Sequence, residues 1–332
     1  MSFRRTHIVF GVAVVLLASM AYRSGDHVCA HPSWGFFGHK KINELAVYTL
    51  PAELFGFYKS NMEYMIEHSV DPDKRRYGVV GEAECHYIDM DHYIDSAHPN
   101  PFENVPRYWN EAVLKFSEDS LREHGIVPWN VSLVQSKLTS AFRNKDVKKI
   151  LRFSAEIGHY IGDAHVPLHT TSNYNGQQTG QRGIHGFWES RLPELYHRDY
   201  DFFVGKCFYI ESPLHYIWDR VEESFAAVDS VLHFERDLNS AYSEDQKYSF
   251  EARGNTTAKV YSEGYSKSYS DMLDGQVERR MRSAVVSVGS FWYTAWVDAG
   301  QPDMAAMMVN PIDVSPDTLV EDEKVRRVRD HE

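Results

Sequence analysis

The sequence predicts an all-α fold built as a single multi-helix domain. Three observations carry this. Apolar residues recur at spacings of three and four through most of the chain between positions 39 and 296. The 332 residues contain no linker-like stretch that would divide them into two cores. Histidines and carboxylates four apart gather near the middle of the chain, where surrounding helices would enclose them. No extended strand is expected.

Arg4 and Arg5 precede an apolar run from Ile8 to Leu17, which is short for a bilayer span but suits the core of an export signal. Residues 1–33 are therefore read as a signal peptide, with a good cleavage point after Ala30, or as an N-terminal membrane anchor, and export is expected. Ile42, Leu45, Ala46, Thr49 and Leu50 mark a helix that stops at Pro51, and a second runs on through Leu54, Tyr58, Met62, Met65 and Ile66. From Asp71 to Phe102 the period dissolves into Asp, Pro, Gly and His, the composition of a long functional loop.

Asn104 and Pro106 open a helix carrying Trp109, Ala112, Val113 and Phe116 that ends at Gly125. Asn130 is read as the cap of the next, with Val134, Leu138, Ala141 and Phe142 on one side. Asp146 caps a helix whose stripe is Ile150, Leu151, Ser154, Ile157 and Ile161. Ser212-Pro213 begins a long helix through Ile217, Val221, Phe225, Val228 and Leu232. Gln276 to Trp296 closes the fold with Val277, Met281, Val285, Val288, Trp292 and Ala295. Residues 34–310 thus form the domain, and the charged, aperiodic stretch 311–332 reads as a disordered tail.

The formal charge is −12; Arg4, Arg5 and Arg23 against Asp26 give the first 33 residues +2, which leaves −14 on the rest. Such a surface disfavours electrostatic capture of long nucleic acid, although bound cations would supply positive charge where a phosphate sits. Outside the N-terminal segment only Cys85 and Cys207 remain, either paired in an oxidising compartment or free; two cysteines make no disulfide framework. Asn130-Val-Ser132 and Asn255-Thr-Thr257 match glycosylation acceptors, though a cap explains the first equally well.

The chemistry concentrates in His159 to Glu189, HYIGDAHVPLHTTSNYNGQQTGQRGIHGFWE. His159/Asp163 and His185/Glu189 each stand four apart, which puts both side chains on one helix face. Spacing alone proves little, because His197/Asp201, His215/Asp219 and His233/Asp237 share it and read as ordinary helix-surface pairs. What distinguishes the first two is the segment between them: Pro167 ends the helix, His169 follows, and a Gly/Asn/Gln loop returns to His185. Two helical pairs and a loop histidine can converge on one small volume, and imidazole with carboxylate suits zinc.

HYIGD, then PLH, then a histidine with an acid four residues on, resembles the zinc-dependent phospholipase C and single-strand-specific zinc nuclease superfamily. That resemblance implies an all-α domain around a multinuclear zinc centre of up to three ions. It implies one zinc held by Asp71, His86, His159 and Asp163, and a second by His169, His185 and Glu189. A third would be held by Trp34 through its free amino group, by His39, and by Asp163 as a shared ligand. Trp34-Gly-Phe-Phe-Gly-His39 reproduces the family's N-terminal pattern, but the amine is free only if cleavage follows Ser33. The family spacing places an acid about fifteen residues before His86, which favours Asp71 over Asp73.

The resemblance implies phosphodiester hydrolysis, with Asp71 as the catalytic carboxylate that orients or deprotonates the nucleophile. Glu189 matches the phospholipase branch, where the nuclease branch usually carries Asp. The alternative is a single-strand-specific nuclease on the same centre, and Tyr87 could stack a base or face a cationic head group. A further alternative is a non-catalytic, zinc-stabilised protein that binds lipid or another surface. A purely structural zinc site would instead be closed by cysteines. The partner expected is a phosphodiester substrate, with peripheral membrane contact if that substrate is a phospholipid and no obligate protein partner.

Overall fold

A computed structural model describes residues 35–308 apart from 254 and 255. The expected signal or anchor, Trp34, the Asn255 acceptor and the tail lie outside the described residues. The architecture is helical. The helix Val147–Ala164 is its axis: every residue from Ser154 to Ala164 is buried, so the element is enclosed rather than merely faced by its neighbours. Asp146 caps it as the sequence predicts, its carboxylate accepting from the Lys149 amide at 3.2 Å. Gly35–Val47, Val127–Arg143 and Gln276–Asp298 pack around this axis.

Close approach depends on glycine at two positions. A Cβ at Gly158 would stand 2.3 Å from Asn43 Oδ1, and one at Gly162 would stand 3.0 Å from His39 Nδ1. The first helix therefore lays its Asn43 and His39 side chains directly on the glycine backbone of the axis, which brings His39 beside His159. Above this contact, Tyr58 stacks on Trp292 at 4.7 Å, while the Tyr58 hydroxyl meets Ser154 Oγ at 2.8 Å and the Trp292 indole donates to the Ser154 carbonyl at 3.0 Å. Burying each such ring contributes about 1.5–3 kcal/mol, and its polar tip is satisfied at the same time.

Several sequence expectations change in detail. The stretch 104–125 forms two helices, Trp109–Phe116 and Glu118–Glu123, because Ser117 adopts φ 67° and its hydroxyl caps the second at Ser120. The helix Val127–Arg143 starts before Asn130, which lies buried in its first turn rather than at its cap. The stretch from Pro213 divides into Pro213–Ala226 and Val228–Ala241. Residues 71–102 are not plain loop but a string of short turns: Asp71–Arg75, Ala83–His86, Met90–Tyr93 and Pro101–Asn104. Cys85 and Cys207 are both free.

The expectation of no strand is wrong. Tyr248–Arg253 and Thr256–Tyr261 pair antiparallel, Tyr248 opposite Tyr261. The hairpin packs where it matters: Tyr261 stacks on Phe187 at 3.8 Å, and Arg191 donates to the Tyr261 carbonyl at 3.1 Å and to Glu251 at 2.9 Å. It thereby braces the wide π-type turn Phe187–Arg191 that carries Glu189. No described helix is long and apolar enough to cross a membrane.

The turn Met90–Tyr93 pins the segment that follows His169. Asp91 accepts from Thr171 Oγ1 at 2.8 Å and from the Ser172 amide at 2.9 Å. Burial, reinforced by Asp91, pushes the neighbouring Asp89 carboxyl up to about 7. A carboxyl raised in the folded chain is held neutral there, so ionising it weakens the fold. Stability should be unaffected below 3.8 and should fall as pH rises through about 7. Melting curves of D89N and the parent should therefore coincide at pH 3.5 and diverge by pH 8 with D89N the more stable; parallel behaviour at both pH values would contradict this. Gly158→Ala should cost about 1–3 kcal/mol in denaturant unfolding by forcing the first helix off the axis, and an unchanged midpoint would show that the contact is not tight.

Candidate metal centre

Six chain segments deliver side chains to one buried volume. The first helix brings His39, the short helix Asp71–Arg75 brings Asp73, and the turn Ala83–His86 brings His86. The axial helix presents His159 and Asp163 from successive turns, Pro167–Thr170 brings His169, and the stretch from Ile184 to Arg191 brings His185 and Glu189. All are buried except His185 and Asp73, whose side chains are 16% and 6% exposed.

Asp163 is the hub. Its Oδ2 lies 2.9 Å from His86 Nδ1 and 3.3 Å from His159 Nε2, while its Oδ1 lies 3.4 Å from His39 Nε2 and 3.6 Å from His169 Nε2. Around that hub stand three groups whose candidate donor atoms all lie within 4.8 Å of one another: His39/Asp73/His159, His86/His159/Asp163 and His169/His185/Glu189. Within the last, Glu189 Oε1 is 3.1 Å from His185 Nε2 and Oε2 is 3.5 Å from His169 Nε2. Bonds of about 2.0–2.2 Å to a tetrahedral zinc place neighbouring donors about 3.3–3.6 Å apart, a range that the donor pairs here, at 2.9–3.6 Å, overlap.

The polar atoms themselves fit a cation. Asp163 Oδ1, both Glu189 oxygens and His169 Nε2 are buried and make no hydrogen bond. A buried carboxylate with neither oxygen hydrogen-bonded is costly unless positive charge stands before it. The protonation pattern says the same. Burial opposes ionisation of Asp163, yet His159 and His169 hold it well below the usual carboxylate range. Burial likewise opposes Glu189, which His185 and His169 bring down to about 2. Burial depresses His159, but Asp163 and Asp73 outweigh it and lift the imidazole to about 9. With no metal, protons on histidine must supply the countercharge that a divalent ion would otherwise bring.

The outer nitrogens are held in register. His159 Nδ1 donates to the Ser69 carbonyl at 2.9 Å and His185 Nδ1 to the Tyr174 carbonyl at 3.0 Å, so both rings present Nε2 inward. By contrast His233 and Asp237 form an exposed surface pair at 3.2 Å, while His197 Nδ1 meets the Pro193 carbonyl at 3.0 Å and His215 Nδ1 meets Ser212 Oγ at 2.7 Å. His165, between Asp163 and His169, is a core residue: Nδ1 donates to the Ile161 carbonyl at 2.7 Å, and burial holds its pKa well down.

The structure brings together His39, His86, His159, Asp163, His169, His185 and Glu189, and it separates Asp71 from them. Asp71 is 33% exposed and pairs with His68 at 2.5 Å and Lys74 at 2.8 Å. Asp73 takes the inward position, its Oδ1 lying 3.6 Å from His159 Nε2 and 3.8 Å from His86 Nδ1. The reason is rotational: two residues of helix turn the side chain by about 200°, so only one of the two can face the axis. Counting residues back from His86 could not see this phase. Tyr87 is half-buried, backs onto Gly125, and donates its hydroxyl to the Glu123 carbonyl at 3.2 Å. Trp34 lies outside the described residues.

Residues 38–252 match the family model described as zinc dependent phospholipase C. No curated protein matches the chain. Among solved structures, the alpha-toxin of Clostridium perfringens from avian strain SWCP is similar at 14% identity with a TM-score of 0.46, over 81% of this chain and 64% of that one. The chain thus spans a little under two thirds of that structure's length.

Only one of the two aspartates faces the axis, so their variants should differ in metal content. D73N should lower bound zinc, measured by elemental analysis of the purified protein, whereas D71N should retain the parent's full content. Loss of metal in D71N but not in D73N would reverse the assignment.

Proposed function

Since this chain belongs to the zinc dependent phospholipase C family, we propose that it hydrolyses phosphodiester bonds, with the head-group ester of a phospholipid as its substrate. The observation that carries the reading is Asp163, a fully buried carboxylate whose two oxygens face separate sets of histidines. Ions bound there would supply Lewis-acid polarisation of the phosphoryl oxygens, a nucleophile at neutral pH and countercharge for the leaving oxygen.

The chain's own residues do the positioning. His86, His159 and Asp163 form the first set, His169, His185 and Glu189 the second, and His39, Asp73 and His159 the third, with His39 also 3.4 Å from Asp163. The carboxylate beside the first set belongs to Asp73, so Asp73 takes the orienting role that spacing assigned to Asp71. Ser69 and Tyr174 fix two imidazoles through their carbonyls, which turns the inner nitrogens toward the cluster, where a metal would displace their protons. At the second set, the Tyr174 ring stands 6.1 Å from that of His185 and is 52% exposed, a surface against which a head group can lie. Tyr87, its hydroxyl already engaged, would contribute only the face of its ring.

Glu189 in place of the nucleases' usual Asp, together with the −12 charge, favours a phospholipid over a polynucleotide. A single-strand nuclease would use the same ligands, so substrate comparison separates the two. Export is supported by Arg4, Arg5 and the apolar run from Ile8 to Leu17. Peripheral membrane contact follows from the proposed substrate.

The purified protein, assayed on phosphatidylcholine vesicles and on single-stranded DNA in parallel, should release the phosphorylated head group and leave the DNA intact. A chelator should abolish turnover and added zinc should restore it. Glu189→Gln should lower kcat by at least about 100-fold, since a direct ligand matters no less than the outer partners whose loss costs 10–100-fold. Cleavage of DNA alone would assign the nuclease activity, and a zinc-loaded protein inert toward both would leave a binding function.

A further inference from the structure

His86 differs from His159 and His185 in how its outer nitrogen is held. Its Nδ1 faces the cluster, 2.9 Å from Asp163 Oδ2 and 3.1 Å from His159 Nε2. A ring that ligates through Nδ1 carries its proton on Nε2. That nitrogen is buried and makes no hydrogen bond, and Glu82 Oε1 stands 3.6 Å away. His159 and His185 instead direct their outer N–H groups to backbone carbonyls.

Glu82 is itself immobilised. Arg75 Nε donates to its Oε2 at 2.7 Å, and the Tyr160 hydroxyl donates to its Oε1. Arg75 also reaches the Tyr160 hydroxyl at 3.0 Å and Glu156 at 2.8 Å. Both oxygens of Glu82 already accept from these donors, and the side chain is 8% exposed, so it is a poor candidate for a metal ligand. The pieces come from elements that also carry the cluster: Arg75 shares a short helix with Asp73, Tyr160 adjoins His159, and Glu82 lies four residues before His86.

We infer that Glu82, clamped by Arg75 and Tyr160, is the positioning residue for His86, fixing the tautomer that presents Nδ1 to a metal and raising the basicity of that nitrogen. With zinc bound, His86 Nε2 would donate to Glu82 Oε1, the 3.6 Å contact shortening to a hydrogen bond. Glu82 then does for one imidazole what a backbone carbonyl does for two others, with a full negative charge in place of a dipole. The inference rests on reading the cluster as a metal centre.

The test uses the full chain, stripped and reloaded with zinc, with affinities measured by competition against a chromogenic chelator. E82A should weaken one zinc by 10–100-fold and leave the rest at parent affinity. E82Q, which keeps a neutral acceptor, should fall between the two, and E84Q, whose parent carboxylate pairs with Arg122, should match the parent. Proton–nitrogen spectra of the zinc-loaded parent should show a slowly exchanging His86 Nε2–H that is lost in E82A. If E82A does not fold, E82Q carries the same comparison. Parent affinity for every zinc in E82Q, or a His86 proton found on Nδ1, overturns the inference. A parent protein that binds zinc yet hydrolyses no phosphodiester would remove the proposed activity and leave this result untouched.

Discussion

A carboxylate sealed from water cannot remain ionised unless something positive stands within a few ångströms. Asp163 is fully buried, and it is ringed by His39, His86, His159 and His169 at 2.9–3.6 Å. Four imidazoles cannot all take protons at that separation, because each charge raised disfavours the next. The histidines therefore share an electrostatic problem that divalent ions solve and protons solve only in part. Much else in the molecule serves to hold these groups where that problem cannot be escaped.

The fold meets this demand by enclosing one helix completely and feeding it from all sides. Gly158 and Gly162 let the first helix settle close enough for His39 to stack on His159 at 3.9 Å. The hairpin Tyr248–Tyr261 looks remote from the chemistry but acts on it through Phe187 and Arg191, which flank Glu189. Asp91 restrains the segment after His169, and the Arg75–Glu82–Tyr160 group stands behind His86. Packing and site are thus one structure, and the cost of ordering each donor is met by contacts that would be needed for stability in any case.

Much of this was legible in the sequence. Helical arithmetic paired His159 with Asp163 and His185 with Glu189, and Pro167 followed by a Gly-rich return explained how the pairs could meet. Arithmetic fails where phase is unknown. Asp71 and Asp73 have the same chemistry in the same loop, and only the rotation of a five-residue helix, set by its docking on the axis, decides which faces inward. Ser117 is another case: a residue of ordinary helical tolerance takes φ 67°, and a predicted single helix becomes two. The hairpin was hidden because its alternation is short and lies within a helix-rich chain. Glu82 stands four residues before His86, but many acids crowd that stretch, and only the Arg75 and Tyr160 side chains folded against it single it out.

The central claim is that one enclosed volume holds several divalent ions with Asp163 between them. Anomalous diffraction from zinc-loaded crystals, collected on either side of the zinc absorption edge, tests this most directly. The account predicts at least two strong peaks, one among His86, His159 and Asp163 and another among His169, His185 and Glu189. A single peak, or peaks lying away from Asp163, would contradict it.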